Sequence, residues 1–345
     1  MYETFYGLSG KPFQLSPDPA FYFGSKGHSS AFSYLKYGVY QGEGFLVITG
    51  DIGTGKTTLV RALLNELNTE LVIAAQIVST QLDADDLLRS VATAFGIRVL
   101  LDGKSQLIAA IEAFLLTTFQ GGKRALLIVD EAQNLGARSL EELRMLSNFQ
   151  CGDRALLQSF LIGQPELRLV MRSPVMEQLR QRVIASYHLG PLDQADTRAY
   201  VEHRLGFVGW KDDPLFDPDA FVEMHRATGG VPRRINSLAN RVLLAAYLGE
   251  KHTISRADVG AAIAEVASEM GADAAPHPAP ADKRETASSG GRIAARPLAA
   301  ITERIEQIER NVDGLLNVVR GIVEPERALP DEDTRGPARR TSRAR

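Results

Sequence analysis

Residues 50–57 have the sequence Gly50-Asp51-Ile52-Gly53-Thr54-Gly55-Lys56-Thr57, which fits the form G-x-x-x-x-G-K-S/T. An apolar run, Phe45–Thr49, precedes them, and Thr58–Leu67 has the composition of a helix. Glycines between a strand and a helix let backbone N–H groups converge on an anion at the helix N-terminus. In this context the motif predicts a phosphate-binding loop. The alternative is an ordinary glycine-rich turn.

If the bound anion is the phosphate chain of ATP, the last two residues of the motif, Lys56 and Thr57, have different roles. The Lys56 ammonium can reach the β- and γ-phosphates, and the Thr57 hydroxyl can hold Mg²⁺. We predict that ATP binds along the whole loop and the first residue of the helix. The predicted nucleotide-binding residues are Gly50, Asp51, Ile52, Gly53, Thr54, Gly55, Lys56, Thr57 and Thr58.

Composition sets the broad class of the protein. The 345 residues suffice for two compact domains and a tail, and the formal net charge of −3 gives no general attraction to nucleic acids or anionic membranes. Cys151 is the single cysteine, so an intrachain disulfide is excluded and a reducing compartment fits. No apolar run is long enough for a transmembrane helix, and residues 1–10 lack a signal-peptide profile. We expect a soluble cytoplasmic protein, recruited to the inner membrane only through a partner.

Strand and helix signals alternate from residue 45 onward, after a leader over 1–44 that is rich in aromatics and prolines and is expected to pack on the core. This alternation predicts an α/β fold, with a parallel sheet covered by helices on both faces, over 45–189. The predicted strands are Phe45–Thr49, Leu71–Val78, Arg124–Val129 and Leu156–Ile162. The predicted helices are His28–Tyr40, Thr57–Leu67, Ala84–Phe95, Lys104–Gln120 and Ser139–Asn148.

Strand signals stop near Leu189, and the remaining periodic segments are helical. We predict a small all-helical lid over 190–268, in which Ser255 and Asp258 mark one helix start. The predicted lid helices are Gln194–Gly206, Asp217–Thr228, Pro232–Leu248 and Ser255–Val266.

The carboxyl-terminal part of the sequence changes character twice. Residues 269–298 are rich in Ala, Pro, Gly and Ser, which predicts a flexible linker. Residues 299–323 carry an apolar heptad seam that predicts a coiled-coil helix, paired with another copy or a partner, or else docked on its own ATPase domain. Residues 324–345 mix both charges with prolines and are expected to be disordered. The seam consists of Ile301, Ile305, Ile308, Val312, Leu315, Val319 and Ile322.

Two adjacent carboxylates follow the predicted strand that ends at Val129. In a parallel sheet the carboxyl end of this strand lies beside the phosphate loop. Asp130 is then placed to hold Mg²⁺, and Glu131 is placed to polarise an attacking water. The alternative is a pair of acids that begins an exposed helix.

Other polar residues stand where an ATPase would use them. Gln164 follows the strand Phe160-Leu161-Ile162-Gly163 and could bind the γ-phosphate or the lytic water. Arg182, or else Arg180, could act as an arginine finger, which stabilises the transition-state charge on the ATP of a neighbouring subunit. The common alternative is that these arginines form a solvated basic helix face. Arg233, after Gly229-Gly230 and Pro232, could contact the γ-phosphate from the lid.

The order of these elements resembles the AAA+ ATPases. Within them, residues 1–268 resemble the ExeA-type ATPases of the general secretion pathway protein A family, and most closely the subfamily of loci for exosortase/PEP-CTERM protein sorting and exopolysaccharide export. The resemblance rests on five segments. Three lie before the phosphate loop: Phe5-Tyr6-Gly7-Leu8-Ser9-Gly10-Lys11-Pro12-Phe13, Ser16-Pro17-Asp18-Pro19-Ala20-Phe21-Tyr22-Phe23 and Tyr37-Gly38-Val39-Tyr40-Gln41-Gly42-Glu43-Gly44-Phe45. The other two are Asp130-Glu131-Ala132-Gln133-Asn134-Leu135 and Gly163-Gln164-Pro165-Glu166-Leu167.

The resemblance implies a P-loop core with a helical lid and Mg²⁺-dependent ATP hydrolysis in a homo-oligomer. It also implies partners in an envelope secretion, protein-sorting or exopolysaccharide-export system. This sequence departs from the secretion proteins where they continue through a membrane helix into a peptidoglycan-binding domain. A linker and a heptad helix take that place here.

Two other functions use the same ATPase core. One is a DNA-associated AAA+ regulator, which the net charge and the sequence after residue 268 do not favour. The other is a scaffold, in which ATP binding orders the assembly and hydrolysis is incidental. The presence of Glu131 argues against this function.

Overall fold

The computed structural model describes residues 1–78, 82–98 and 103–272. The strands are β1 (Phe45–Gly50), β2 (Val72–Val78), β3 (Arg124–Asp130), β4 (Gln150–Cys151), β5 (Arg154–Ala155), β6 (Leu157–Gly163), β7 (Val183–Leu189), β8 (Leu215–Phe216) and β9 (Thr253–Ile254). The helices are α1 (Tyr2–Phe5), α2 (Lys26–Gln41), α3 (Lys56–Glu66), α4 (Ala84–Ala94), α5 (Lys104–Gln120), α6 (Ala137–Leu146), α7 (Glu166–Arg172), α8 (Glu177–Arg180), α9 (Gln194–Phe207), α10 (Pro218–Thr228), α11 (Pro232–Leu248) and α12 (Arg256–Ala272).

The five longest strands form one sheet in the order β2–β3–β6–β1–β7, in which all neighbours are parallel. Every residue of β1 and β6 is buried, as expected for central parallel strands covered on both faces. The carboxyl ends of β1, β3 and β6 therefore lie at the same edge of the sheet, where α/β proteins bind ligands.

Alternate residues along each strand supply two separate cores. Leu46 and Ile48 of β1 pack with α2 and α3 on one face, whereas Phe45 and Val47 pack with α4, α5 and α6 on the other. This two-sided burial confirms the prediction of an α/β fold with helices on both faces.

The four predicted strands are present with ends that differ by one residue at most. The prediction was wrong about β7, which it omitted. This strand is an edge strand, and its exposed residues Ile184, Ser186 and His188 alternate with more buried ones, so it lacks the continuous apolar run of a central strand. The short hairpin β4–β5, which turns at Gly152, was also missed.

The predicted helices are present within two residues at each end, except that α12 continues to Ala272 and so passes the expected lid boundary at 268. The predicted linker beyond residue 272, the heptad helix and the tail lie outside the described residues. Within the described ranges, no helix combines the length and apolarity that crossing a membrane requires.

The leader contacts both the lid and the sheet domain. Its rings Tyr2, Tyr6, Phe13 and Phe21 share one buried cluster with the lid helices α9 to α12. The Tyr2 hydroxyl donates to Asn240 Oδ1 (2.8 Å). Helix α2, by contrast, packs on the sheet. The leader therefore packs on the core through α2, as expected, and also on the lid through its aromatic rings, which the prediction did not include.

Candidate nucleotide-binding site

The phosphate loop joins β1 to α3, and two of its glycines have left-handed backbone conformations. Gly53 has a φ of 83° and Gly55 a φ of 97°. A Cβ on Gly53 would lie 2.6 Å from the Cβ of Arg233, and one on Gly55 would lie 2.9 Å from His28 Nε2. Both glycines are required by the backbone conformation and by close approach of neighbouring residues.

Lys56 is buried beneath the loop. Its Nζ donates to the carbonyl oxygens of Gly50 (2.7 Å) and Asp51 (2.9 Å). Burial lowers the pKa of this ammonium, while the carboxylates of Glu131 and Asp130 act in the opposite direction. An ammonium has three donors, so Lys56 can also bind an anion cradled by the loop.

Thr57 and Asp130 form the candidate Mg²⁺ site. The Thr57 hydroxyl donates to Asp130 Oδ2 (3.0 Å). Asp130 is only 3% exposed, and burial raises the pKa of its carboxyl above the ordinary value. A hydroxyl and a carboxylate are oxygen ligands of the kind Mg²⁺ takes, so the donor set fits this ion. The described residues hold no cluster of three or more His, Cys, Asp or Glu side chains suited to a metal.

Glu131 follows Asp130 in a left-handed conformation, with a φ of 54°, which is uncommon for a residue with a side chain. Its N–H donates to Asp130 Oδ1 (3.0 Å). Its Oε2 accepts from Gln133 Nε2 (2.6 Å) and from Gln164 Nε2 (3.2 Å). The structure therefore brings together Glu131 and Gln164, which the sequence analysis placed separately at the ends of two strands.

The lid reaches the loop through the first turn of α11. The N–H of Arg233 donates to the Gly53 carbonyl (3.1 Å). Gly229 and Gly230 have positive φ, and a Cβ on Gly230 would lie 2.0 Å from the carbonyl oxygen of Leu192. These glycines therefore allow the tight turn that presents Arg233 beside the loop.

A cavity of about 340 Å³ opens beside the loop, and it is lined by three parts of the chain. The loop and sheet supply Lys56, Thr57 and Glu131, and the lid supplies Tyr200 and Arg233 among others. The leader adds a wall that includes Pro17, Asp18, Phe21, Tyr22 and Phe23. An apolar and aromatic wall beside a phosphate loop suits a planar base.

His28 is a site residue that sequence reasoning missed. Its Nε2 lies 2.9 Å from the carbonyl oxygen of Thr54, and its Nδ1 lies 2.7 Å from Ser25 Oγ. A carbonyl only accepts, so Nε2 carries the proton and the Ser25 hydroxyl donates to Nδ1. Burial lowers the pKa of this imidazole. Sequence reasoning missed this histidine because its contact with the Thr54 carbonyl joins residues 26 positions apart, and no local motif indicates such a contact.

The two finger candidates lie apart from this cavity. Arg182 Nη1 donates to the carbonyl (2.9 Å) and hydroxyl (3.0 Å) oxygens of Ser147. Arg180 Nη1 donates to the carbonyl oxygens of Met171 and Ser173, each at 2.8 Å. Neither belongs to the described residues that line the cavity. A finger acts on a neighbouring subunit, so this placement leaves both assignments as predictions.

Comparisons with known proteins agree with this architecture. A family model described as an AAA domain matches residues 39–171. General secretion pathway protein A of Aeromonas hydrophila is 43% identical over 267 residues, which is 77% of this chain and 48% of that protein. The chain thus spans about half the length of the curated relative that it matches.

Solved structures with similar folds include the ORC2 protein of Aeropyrum pernix (TM-score 0.54, 18% identity, covering 70% of this chain and 67% of that one). Another is the ORC1 protein of the same organism in complex with DNA (TM-score 0.55, 18% identity, covering 76% and 71%). At this identity the likeness concerns the fold alone, which is that of AAA+ P-loop proteins. With the 43% identity above, the described part of this chain is an AAA domain of the general secretion pathway protein A (ExeA-type) family.

Proposed function

We propose that this chain hydrolyses ATP in a Mg²⁺-dependent reaction. The observation that carries the proposal is the position of the Glu131 carboxylate, held by Gln164 next to the loop that contains Lys56 and to the Thr57–Asp130 pair. A protein that only binds a nucleotide has no need for a carboxylate at this position. Thr57 and Asp130 would hold Mg²⁺, which neutralises phosphate charge when bound.

The protein groups have distinct tasks in this reaction. The N–H groups of the loop and the Lys56 ammonium bind the β- and γ-phosphates. Glu131 accepts the proton of the attacking water, and the Gln164 amide orients the carboxylate and the water. Arg233 adds a positive charge from the lid, so the position of the lid depends on which nucleotide is bound.

The ATPase acts in an assembly of subunits placed side by side. In such an assembly Arg182, or else Arg180, stabilises the charge that develops on the ATP of the neighbour. The described hydrogen bonds of the Arg182 guanidinium both go to Ser147, so these bonds must be exchanged for bonds to phosphate.

The assembly powers or regulates an envelope secretion, protein-sorting or exopolysaccharide-export system. The identity to general secretion pathway protein A supports this assignment. Residues 299–323 would join the ATPase to another copy or to a partner as a coiled coil.

Steady-state ATP turnover, measured against protein concentration with and without Mg²⁺, tests the proposal. We expect turnover per subunit to rise with concentration and to be lost in Glu131→Gln and in Arg182→Ala. The matched controls are Glu112→Gln and Arg138→Ala, which replace exposed residues of α5 and α6. A wild-type protein without turnover would contradict the proposal. Turnover that is flat with concentration, with an active Arg182→Ala variant, would contradict the finger and the assembly but not hydrolysis.

A further inference from the structure

Gln133 connects the end of β3 to the end of β6. It lies in a 3-10 helix of one turn, Ala132–Asn134, which directly follows Glu131. Its Nε2 donates to Glu131 Oε2 (2.6 Å), and its Oε1 accepts from the backbone N–H of Gln164 (2.9 Å). One side chain thus binds both the candidate catalytic carboxylate and the strand end that carries Gln164.

The two contacts fix the orientation of the Gln133 amide. A backbone N–H can only donate, so the amide atom that faces Gln164 must be the oxygen. The NH₂ group must then face Glu131, where a carboxylate can only accept. The two hydrogen bonds therefore settle which way this amide points.

The absence of a side chain at Gly163 leaves room for the Gln133 amide. Gly163, the last residue of β6, would carry a Cβ only 2.8 Å from Gln133 Oε1 and 3.0 Å from Leu167 Cδ2. A side chain at residue 163 would push Gln133 away from the Gln164 N–H. The Gly163 backbone therefore forms part of the surface against which the Gln133 amide packs.

These contacts define the direction of the Glu131 carboxylate. Gln133 and Gln164 both donate to Oε2, so Oε1 is the oxygen that would accept a proton from water. Glu131 leaves its strand in a left-handed conformation, so the usual strand geometry does not set the direction of its side chain. The two amides supply that direction instead.

We propose that Gln133 is a positioning residue for ATP hydrolysis, which holds the Glu131 carboxylate in its catalytic orientation and couples it to Gln164. This inference rests on the proposed ATPase function. Gln133 faces Glu131 and the Gln164 backbone rather than the phosphate loop, so ATP affinity does not depend on it.

Variants of Gln133 in the full chain test the role by separating kcat from binding. We expect Gln133→Leu to lower kcat by about ten- to hundredfold, as for loss of a hydrogen bond to a charged group. Its KM, its calorimetric Kd for ATP and its melting temperature should stay close to those of the wild type. Gln133→Glu keeps an acceptor for the Gln164 N–H but removes the donor to Glu131, so it should lose kcat as well. Gln120→Leu, at the exposed end of α5, is the matched control.

A double-mutant cycle distinguishes positioning from a merely structural effect. If Gln133 acts through Glu131, adding Gln133→Leu to Glu131→Gln should not lower the single-turnover rate further. Gly163→Ala should reproduce the kcat loss through displacement of the Gln133 amide. Additive losses, a kcat within about twofold of wild type, or a parallel loss of ATP affinity would overturn the proposal. Absence of turnover in the wild type would instead refute the proposed function, and with it any role of Gln133 in that reaction.

Discussion

The backbone N–H of Arg233 donates a 3.1 Å hydrogen bond to the carbonyl oxygen of Gly53, which fixes the lid to the phosphate loop. The contact is close because Gly53 has no side chain: a Cβ there would lie 2.6 Å from the Cβ of Arg233. Loop and lid therefore form one structural unit around the cavity.

Replacing Gly53 by alanine should separate the lid from the loop. We expect Gly53→Ala to weaken ATP binding by at least about tenfold, because the clash displaces residues that line the cavity. Gly122→Ala is the matched control, since Gly122 also has a positive φ (75°) but a Cβ there meets nothing within 4 Å. Calorimetric titration of both variants makes the comparison. Equal ATP affinities in the two variants would contradict a role of the contact between Gly53 and the lid in ATP binding.

Arg233→Ala should leave the lid in place, because the contact with Gly53 uses the backbone N–H. The exposed guanidinium is what the variant removes. We expect an unchanged melting temperature for the nucleotide-free protein and a reduced preference for ATP over ADP. Arg234→Ala, the exposed neighbour in the same helix, serves as the control. If the preference for ATP survives, Arg233 has no contact with the γ-phosphate.

Lys56→Ala should abolish ATP binding, because no other buried ammonium lies under the loop among the described residues. Lys211→Ala, which removes an exposed lysine of the lid, should bind ATP like the wild type. Calorimetry at matched protein concentration reports both affinities. An unchanged affinity in Lys56→Ala would refute the phosphate-loop assignment.

Stability should fall on acidification through His28. Burial holds the pKa of the folded imidazole below its ordinary value of 6.5, so the unfolded state binds a proton first as the pH drops. The contribution of His28 is therefore fully present above about pH 6.5 and decreases below it, by at most about 1.4 kcal/mol per pH unit.

Denaturant unfolding at several pH values between 5 and 8 checks this sign. His28→Gln can still donate to the Thr54 carbonyl but does not titrate, so its stability should fall less steeply than that of the wild type. Parallel pH curves for the two proteins would mean that His28 does not titrate on unfolding.

Deleting residues 299–323 should lower the oligomer mass or abolish capture of a partner, while the ATPase domain stays folded. The expectation comes from the heptad seam, since an apolar stripe on a lone helix needs a second surface. Sedimentation velocity and partner pull-down, with circular dichroism to follow folding, are the measurements. A deletion variant that behaves like the wild type in both assays would contradict the coiled coil.

The fold and the centre of the site could be predicted because their signals are local. The phosphate loop is continuous in sequence, and buried strands that end in Asp130, Glu131 or Gln164 share one edge of the sheet. Edge strand β7 was missed because its exposed residues break the apolar run. His28 was missed because its contact with the phosphate loop joins residues 26 positions apart, and the role of Gln133 was missed because it depends on a bond to Gln164, 31 positions away. Periodicity does not report such contacts.

The contacts of the leader with the lid have a consequence for synthesis of the chain. The Tyr2 hydroxyl binds Asn240, and the Tyr6 hydroxyl donates to the carbonyl oxygen of Lys251 (2.9 Å). These partners are 238 and 245 residues apart in sequence, so the leader leaves the ribosome long before its binding surface exists. Its aromatic rings stay exposed to water and to chaperones until α11 and α12 have been made. The nucleotide cavity, whose wall the leader forms, is therefore completed only when nearly the whole ATPase domain has been translated.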